Sequence, residues 1–281
     1  MNVLSLFDGI SCGRVALERA SIKVDKYYAS EIKDIAVKCS MDNYPDIVHI
    51  GDVRKIKYEN GVLSWESGKE KVKIDLLIGG SPCQNFSQAM KEEKRKGFEG
   101  EKSSLFYEYY RLLQEVKPKY FLLENVKMKK DDELKMNEYM GVKAININSS
   151  LVSAALRNRY YWTNIPGITQ PKDKGIKLQD ILTSGYTDRD KARALLVSGS
   201  RPLTDKQRML RRYKDTGFTT IVWEKYGDNN SIRYLNRTEL ERCQTMPEGY
   251  TKSLTRNQAA NVLGDGWTVD IIAHIFSFIK L

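Results

Sequence analysis

The sequence predicts an α/β fold built on a mostly parallel sheet, and three stretches carry that reading. The first is Ile74-Asp75-Leu76-Leu77-Ile78, a short and largely apolar run that stops at Gly79-Gly80 and continues into Ser81-Pro82-Cys83-Gln84. Short runs of this kind are the strands of parallel sheets covered on both faces. The second is Asn2–Phe7, which passes through Asp8-Gly9-Ile10-Ser11-Cys12-Gly13 into a helical pattern with Val15, Ala16 and Leu17. Strand, glycine turn and helix in that order open a nucleotide-binding α/β unit. The third is the alternation that follows. Strands are expected at Lys26–Ser30, Ile47–Ile50, Tyr120–Leu123 and 143–152, with a helix over Ser103–Val116 whose Leu105, Tyr109, Leu112 and Val116 share one face.

Composition narrows the classes of function. At 281 residues and 41% hydrophobic, the chain can bury one large core, or one large and one small. No basic stretch followed by an apolar run opens it, and no apolar stretch approaches the roughly 18 residues that span a bilayer. A soluble, intracellular protein without a membrane partner is therefore expected. Cysteines stand at 12, 39, 83 and 243, and histidines only at 49 and 274. No zinc-ligand spacing results, so no metal is expected, and neither is a Cys–His or Ser–His nucleophile pair. The formal charge is +10, and residues 166–237 hold 15 Lys and Arg against 8 Asp and Glu. Strand–helix alternation is also lost after Pro166 and returns from Thr238. The expected organisation is a catalytic body over 1–165, a small irregular basic domain over 166–237, and a segment over 238–281 that returns to the body. A basic segment on a balanced body is what a polyanion-binding subdomain looks like.

Open α/β sheets place their chemistry at the carboxyl ends of their strands. Three successive strands here end in Asp8, Glu31 and Asp52. Glu31 follows the glycine turn by about 20 residues, where a carboxylate takes ribose hydroxyls of an adenosine. Asp52, or a backbone group beside it, is placed to read the adenine amino group. NAD, FAD and S-adenosylmethionine all satisfy this pattern. Cys83, fixed by Pro82 on a loop freed by Gly79 and Gly80, is a candidate nucleophile. Glu124 ends the strand one crossover later, and a right-handed crossover brings both to one edge of the sheet. Arg157 and Arg159, two apart, share a face if extended. The charged run over 88–102 reads as a lid beside the nucleophile.

Assembled in order, these residues resemble the DNA cytosine-5 methyltransferase family. Phe7-Asp8-Gly9 with Gly13, then Glu31, Asp52, Gly80-Ser81-Pro82-Cys83-Gln84, Glu124-Asn125-Val126 and Arg157-x-Arg159 match that family's successive motifs across nearly the whole chain outside the basic segment. Pro-Cys alone is common, whereas Pro-Cys followed some forty residues later by Glu-Asn-Val, then Arg-x-Arg, is specific. The stretches VSAALRNRYYWTNIPG and GDGWTVDIIAHIF look closest to the animal de novo enzymes and to similar phage and bacterial ones, whether orphan or in restriction–modification systems.

The resemblance implies a Rossmann-like methyltransferase sheet with a small target-recognition domain. It implies S-adenosylmethionine as cofactor, S-adenosylhomocysteine as product, and double-stranded DNA as partner. The target cytosine would be flipped out of the duplex, because its reactive carbons are shielded in the stack. Cys83 would add to carbon 6, Glu124 would hold or protonate N3, and Arg159 would hold O2. Arg157 would support the carboxylate, and Asn125 would orient the Pro82-Cys83 loop. For the cofactor it implies Phe7 near the adenine, Asp8, Gly9, Ile10, Cys12 and Gly13 around the amino-acid moiety, and Glu31 with Ile32 at the ribose. Asp52 and Val53 fall at the adenine, with Pro82, Leu105 and the Asp265-Gly266-Trp267 turn closing the site.

For DNA contact the candidates are Gln84 and Ser87 beside the nucleophile, and Arg201, Lys206, Arg208, Arg211 and Arg212 in the basic segment, mostly toward phosphate. A monomer working in a prokaryotic or phage-infected cytoplasm or nucleoid is expected, and the resemblance admits a cognate restriction endonuclease as a partner. Three features depart from the family's pattern. Ala155-Leu156 stand where a glutamine commonly precedes the Arg-x-Arg pair, Cys12 sits in the cofactor loop, and the C-terminal turn differs from the commoner form. Two rival readings remain: an RNA cytosine methyltransferase on the same fold, and a catalytically silent DNA-binding homologue. The intact Pro82-Cys83 and Glu124 weigh against the second.

Overall fold

The computed structural model describes residues 1–82, 104–195, 206–217, 219–225 and 227–280. Cys83, Gln84, Ser87, the charged run over 88–102 and Arg201 lie outside the described residues. In chain order the first half comprises β1 (Asn2–Leu6), α1 (Cys12–Arg19), β2 (Lys26–Ser30), α2 (Asp34–Asn43), β3 (Val48–His49), β4 (Lys57–Glu59), β5 (Val62–Trp65), β6 (Gly68–Lys71), β7 (Leu76–Gly80), α3 (Ser104–Val116) and β8 (Tyr120–Val126). The second half comprises α4 (Lys130–Met140), β9 (Ile145–Asn148), β10 (Asn158–Thr163), α5 (Leu178–Ile181), α6 (Lys206–Arg211), β11 (Ile221–Trp223), β12 (Ile232–Tyr234), α7 (Arg237–Cys243), α8 (Arg256–Asp265) and α9 (Val269–Phe276).

Seven strands form the central sheet in the order β3-β2-β1-β7-β8-β10-β9. The pairs along β3-β2-β1-β7-β8 are parallel, and β10 runs antiparallel to both β8 and β9. Alternate side chains of each central strand enter different cores. Val3, Tyr27, Leu76, Ile78 and Leu122 face the layer that includes α1, α8 and α9. Leu4, Tyr28, Leu77, Phe121 and Leu123 face α3, α4 and the β4–β6 sheet. Burial on both faces is why these strands read as unbroken apolar runs. The chain builds outward from β1 through β2 to β3 and then returns to the other side of β1 at β7. That reversal opens a crevice beyond the carboxyl ends of β1 and β7.

Two departures from the sequence reading have plain causes. The strand expected to stop at Leu123 continues to Val126, because Glu124, Asn125 and Val126 pair with Tyr161, Tyr160 and Arg159 of β10. The run expected to stop at Gly79 instead forms a strand over Leu76–Gly80, because Gly79 and Gly80 pair with Leu123 and Glu124 of β8. The polar stretch over 54–73 is a three-stranded antiparallel sheet, β4-β5-β6. Its Leu63 is fully buried, and its Trp65 ring lies 6.2 Å from Tyr28. In the basic segment, β11 and β12 form a two-stranded sheet, on which Met209 and Tyr213 join Ile221, Trp223, Ile232 and Tyr234 in a small separate core. Leu178, Ile181, Ala192 and Leu195 instead join the main core. The closing helix α9 buries Ile271, Ile272, Ile275 and Phe276 there, against α1. Among the described residues no helix is long and apolar enough to cross a membrane.

Gly13 shows what holds α1 so close to the sheet. A Cβ there would lie 2.4 Å from Cδ1 of Ile78 and 2.9 Å from the Tyr27 hydroxyl. Alanine in place of glycine gains about 1 kcal/mol of helix propensity. Overpacking against a fully buried Ile78 costs about 1–3 kcal/mol and should win. Gly13→Ala is therefore expected to lower the thermal unfolding midpoint by several degrees. An unchanged or raised midpoint would show that the contact relaxes freely.

Candidate active site

The loop from β1 to α1 alternates unusual backbone with tight polar contacts. Phe7, Gly9 and Ser11 all take positive φ, at 57°, 61° and 59°. For Phe7 and Ser11 this conformation costs about 1–2 kcal/mol each, so the surroundings must hold them. Asp8 does much of that. One of its carboxylate oxygens accepts from Ser5 Oγ at 2.5 Å and from the Tyr27 hydroxyl at 2.7 Å. The other accepts from Ser11 Oγ at 2.6 Å, which in turn lies 2.6 Å from Ser40 Oγ on α2. Burial raises the Asp8 carboxyl above its ordinary value, and the three hydroxyl donors oppose that shift.

Glu31, just past β2, accepts backbone donors from Gly9 at 2.9 Å, Ile32 at 2.8 Å and Lys33 at 2.9 Å. Those fill three of the roughly four acceptor sites of a carboxylate, leaving one for an incoming hydroxyl. Asp52 is different. Its two oxygens are taken by the backbone and guanidinium of Arg54, with contacts between 2.5 and 3.0 Å. Arg54 also holds the Asp52 carboxyl below its ordinary value. Asp52 thus lines the cavity with its carboxylate engaged by the local turn.

These groups share one cavity of about 680 Å³, within the range of small-molecule sites. Phe7, Asp8, Gly9, Cys12, Glu31 and Ile32 line one end, and Ile32 is 67% exposed. Asp52, Val53, Pro82 and Leu105 also line it, as do Asp265, Gly266 and Trp267 at the end of α8. Ile10 and Gly13 are absent from the lining. Ile10 is fully buried behind it, and Gly13 acts through the packing described above. Lys33, Arg54, Ser30 and Val262 line the cavity without having been singled out in the sequence. The first three adjoin strand ends already identified. Val262 reaches the cavity only through the tertiary return of α8. At the rim, Lys33 Nζ and Asp265 Oδ2 lie 2.6 Å apart.

The opposite end of the same cavity holds Glu124, Arg157 and Arg159. Glu124 is 7% exposed, and its Oε1 lies 2.8 Å from Arg159 Nε and 3.9 Å from Arg157 Nη2. The Arg159 contact is out of line for a hydrogen bond, so among the described residues Oε1 has ionic neighbours but no hydrogen-bonded one. Arg157 Nη1 also donates to the Gly264 carbonyl at 3.1 Å. Gly80 sits between Trp267 and the carboxylate. A Cβ there would lie 2.9 Å from Trp267 Nε1 and 3.1 Å from Glu124 Oε2. Asn125 points to the other side of β8, where its amide donates to Ser81 Oγ at 3.0 Å.

The three described cysteines are buried, and burial pushes the thiols of Cys12, Cys39 and Cys243 up to about 12. None of them is a nucleophile near neutral pH. Among the described residues no group of three His, Cys, Asp or Glu is arranged to hold a metal ion. Of the basic candidates, Lys206, Arg208 and Arg211 are exposed on α6, and Arg212 starts the turn that follows. None of these four lines the cavity.

Asp8 yields a pH prediction. Its folded pKa lies above the unfolded value, so its contribution to stability is full below the ordinary carboxylate range. It is lost as pH rises through the folded value. Asp8→Asn keeps an acceptor for Ser5 and Tyr27, and Ser11 can accept from the new amide. The variant should unfold at a higher temperature than the wild type at pH 8, with the difference shrinking toward pH 4. A difference that is independent of pH would contradict the assignment.

Comparison with known proteins places this geometry. The family description C-5 cytosine-specific DNA methylase matches residues 1–140. The orphan methyltransferase M.SPRI of Bacillus phage SPR is 40% identical over 129 residues, which is 45% of this chain and 26% of that protein. The type II methyltransferase M1.ScrFI of Lactococcus lactis subsp. cremoris is 38% identical over 125 residues, 44% of this chain and 28% of that one. The match thus spans about a quarter of each relative's length. In fold, the Entamoeba histolytica methyltransferase EhMeth superposes with a TM-score of 0.75 at 16% identity, covering 100% of this chain and 99% of that one. The S. pombe Dnmt2 methyltransferase superposes at 0.69 and 15% identity, covering 99% and 97%. Through its first 140 residues the protein matches the C-5 cytosine-specific DNA methylase family.

Proposed function

We propose that the protein transfers a methyl group from S-adenosylmethionine to carbon 5 of a cytosine flipped out of double-stranded DNA, through a covalent adduct with Cys83. The observation that carries this reading is the single cavity with two chemically different ends. One end offers an aromatic ring, an exposed aliphatic side chain and a carboxylate with a spare acceptor site, which suits an adenosine. The other offers a buried carboxylate between two arginines, which suits a pyrimidine edge. Bound S-adenosylmethionine supplies an electrophilic methyl group. Phe7 and Ile32 flank the adenosine, and Glu31 accepts a ribose hydroxyl.

Cys83 attacks carbon 6 of the cytosine as a thiolate. Negative charge then develops on the ring, and Glu124 stabilises it by holding a proton at N3, worth about 10²–10⁴-fold in such steps. Arg159 donates to O2, and Arg157 keeps the Glu124 carboxyl in place. Asn125 fixes Ser81 and with it the start of the loop that carries Cys83. With carbon 5 alkylated, loss of its proton expels the Cys83 thiolate. Residues 166–237 serve as the target-recognition domain, where Lys206, Arg208, Arg211 and Arg212 meet DNA phosphates. Such contacts position the duplex without reading its sequence.

Trapping tests the reading. A pool of random-sequence duplexes carrying 5-fluorocytosine should form a denaturant-stable adduct with the protein when S-adenosylmethionine is present, since fluorine blocks the final elimination. Cys83→Ser should bind the duplex and form none. Glu124→Gln should slow methyl transfer to unmodified duplex by at least about 100-fold. An adduct with the Cys83→Ser variant would refute the nucleophile, and no adduct with folded wild type would refute the mechanism. Adduct formation on tRNA alone would move the substrate to RNA.

A further inference from the structure

Residues 188–195 connect the small β11–β12 sheet to the loop that carries Arg157, and their contacts alternate between the two bodies. On the side of the small sheet, Arg189 donates to the carbonyls of Tyr213 and Thr219 at 3.1 Å each and of Gly217 at 3.4 Å. Its guanidinium also lies 3.8 Å from the Tyr213 ring centre. Asp188 accepts the Tyr213 hydroxyl, and the Arg193 backbone donates to Thr220 Oγ1 at 3.0 Å. On the catalytic side, Lys191 Nζ donates to the carbonyls of Ser150 at 2.7 Å, Ser153 at 2.9 Å and Ile176. The backbone of Ala192 exchanges hydrogen bonds with Ala154 and Leu156, at 2.7 and 2.9 Å.

Two cations, two residues apart, thus each grip three main-chain carbonyls of a different body. Neither has a carboxylate partner among the described residues. An ammonium has three protons, and Lys191 gives two of them to the turn that leads into Arg157 and the third to the Ile176 carbonyl, before α5. At Leu195 the segment meets the last turn of α8. The Leu195 carbonyl lies 2.8 Å from where a Cβ of Gly264 would stand, and the Gly264 carbonyl is the one that accepts from Arg157.

We infer that Arg189 and Lys191 are positioning residues that couple the recognition segment to the catalytic carboxylate. Arg189 fixes the segment to the turn after α6, whose exposed lysine and arginines are the DNA-contact candidates. Lys191 fixes it to the loop that sets Arg157, and Arg157 sets Glu124. Docking of a duplex on α6 is therefore transmitted as a defined placement of the Arg157 guanidinium, and methyl transfer is fast only when both anchors hold. This inference rests on the proposed methyl transfer to DNA.

The test uses the full chain and a duplex that the wild type methylates. Lys191→Met keeps the length and apolar stem and removes the ammonium. It should leave the dissociation constants for that duplex and for S-adenosylhomocysteine within about threefold of wild type, while slowing single-turnover methylation at saturation at least tenfold. Lys191→Arg should restore part of that rate. If Lys191 acts through Arg157, the loss in Lys191→Met/Arg157→Lys will be smaller than the product of the two single losses. A purely structural lysine predicts multiplied losses, or a rate that falls only with the folded fraction, and either result overturns the coupling. Should Lys191→Met not fold, Arg189→Lys carries the same test from the other anchor, with the same pattern expected. A wild type that methylates no DNA removes the functional reading and this inference together. A wild type that does, beside variants of unchanged rate, removes the inference alone.

Discussion

The arrangement depends first on burying one carboxylate, that of Glu124. An ionised carboxylate taken out of water is costly by several kcal/mol unless a cation and hydrogen-bond donors accompany it. Here the compensation comes from two arginines of one stretch of chain, and the sheet is built to deliver them. Inserting β10 antiparallel beside β8 puts Tyr161 opposite Glu124 and Arg159 opposite Val126, so Arg159 leaves the strand next to the carboxylate. Arg157 stands just before β10 and has to be placed by the preceding turn. Gly80 leaves room for both Trp267 and Glu124 at the end of β7, where any side chain would push one of them aside. Among the described residues one oxygen of Glu124 has ionic but no hydrogen-bonded partners, which is the state expected of a group kept ready for a ligand.

The other end of the cavity is held from behind. Three positive-φ residues in five make the β1–α1 loop a strained turn, and such strain persists only where the surroundings over-determine it. The Asp8 hydroxyl cluster supplies one restraint and ties the loop to β2 and α2. A second comes from the far end of the chain, where the Tyr250 hydroxyl donates to the Ile10 carbonyl at 2.7 Å. The loop that carries Tyr250 is itself pinned by the fully buried Glu241, whose carboxylate accepts from the backbones of Gly249 and Thr251 and from the Thr251 hydroxyl. The C-terminal helices therefore complete a cavity lined mostly by the first 160 residues.

Much of this was legible in the sequence because the sheet is covered on both sides. Strands β1 and β2 appear there nearly residue for residue, and β7 in its apolar part, since full burial demands unbroken apolar runs. The carboxylates Glu31 and Glu124 were legible for the same reason, as the polar letters that stop those runs. Reading a strand by its apolar letters also caused the error at β8, where Glu124 and Asn125 continue the ladder because β10 pairs with them. Asp52 was placed at the cavity, but the sequence pattern did not show that Arg54, two residues away, engages its carboxylate through a local turn. Gly13 reads as a ligand-binding glycine in a motif, yet its immediate duty is to let α1 approach Ile78. Contacts made across long separations left no pattern to read. Lys33 and Asp265 meet over 232 residues, and Arg189 and Lys191 bind main-chain carbonyls, which carry no sequence signature.

The account turns on one claim, that the two ends of the cavity serve a methyl donor and a DNA cytosine together. The most direct measurement is methylation of a random-sequence DNA library with S-adenosylmethionine, read by conversion sequencing. The account predicts 5-methylcytosine confined to a fixed sequence context. A library without 5-methylcytosine, from folded protein that binds S-adenosylhomocysteine, would contradict it.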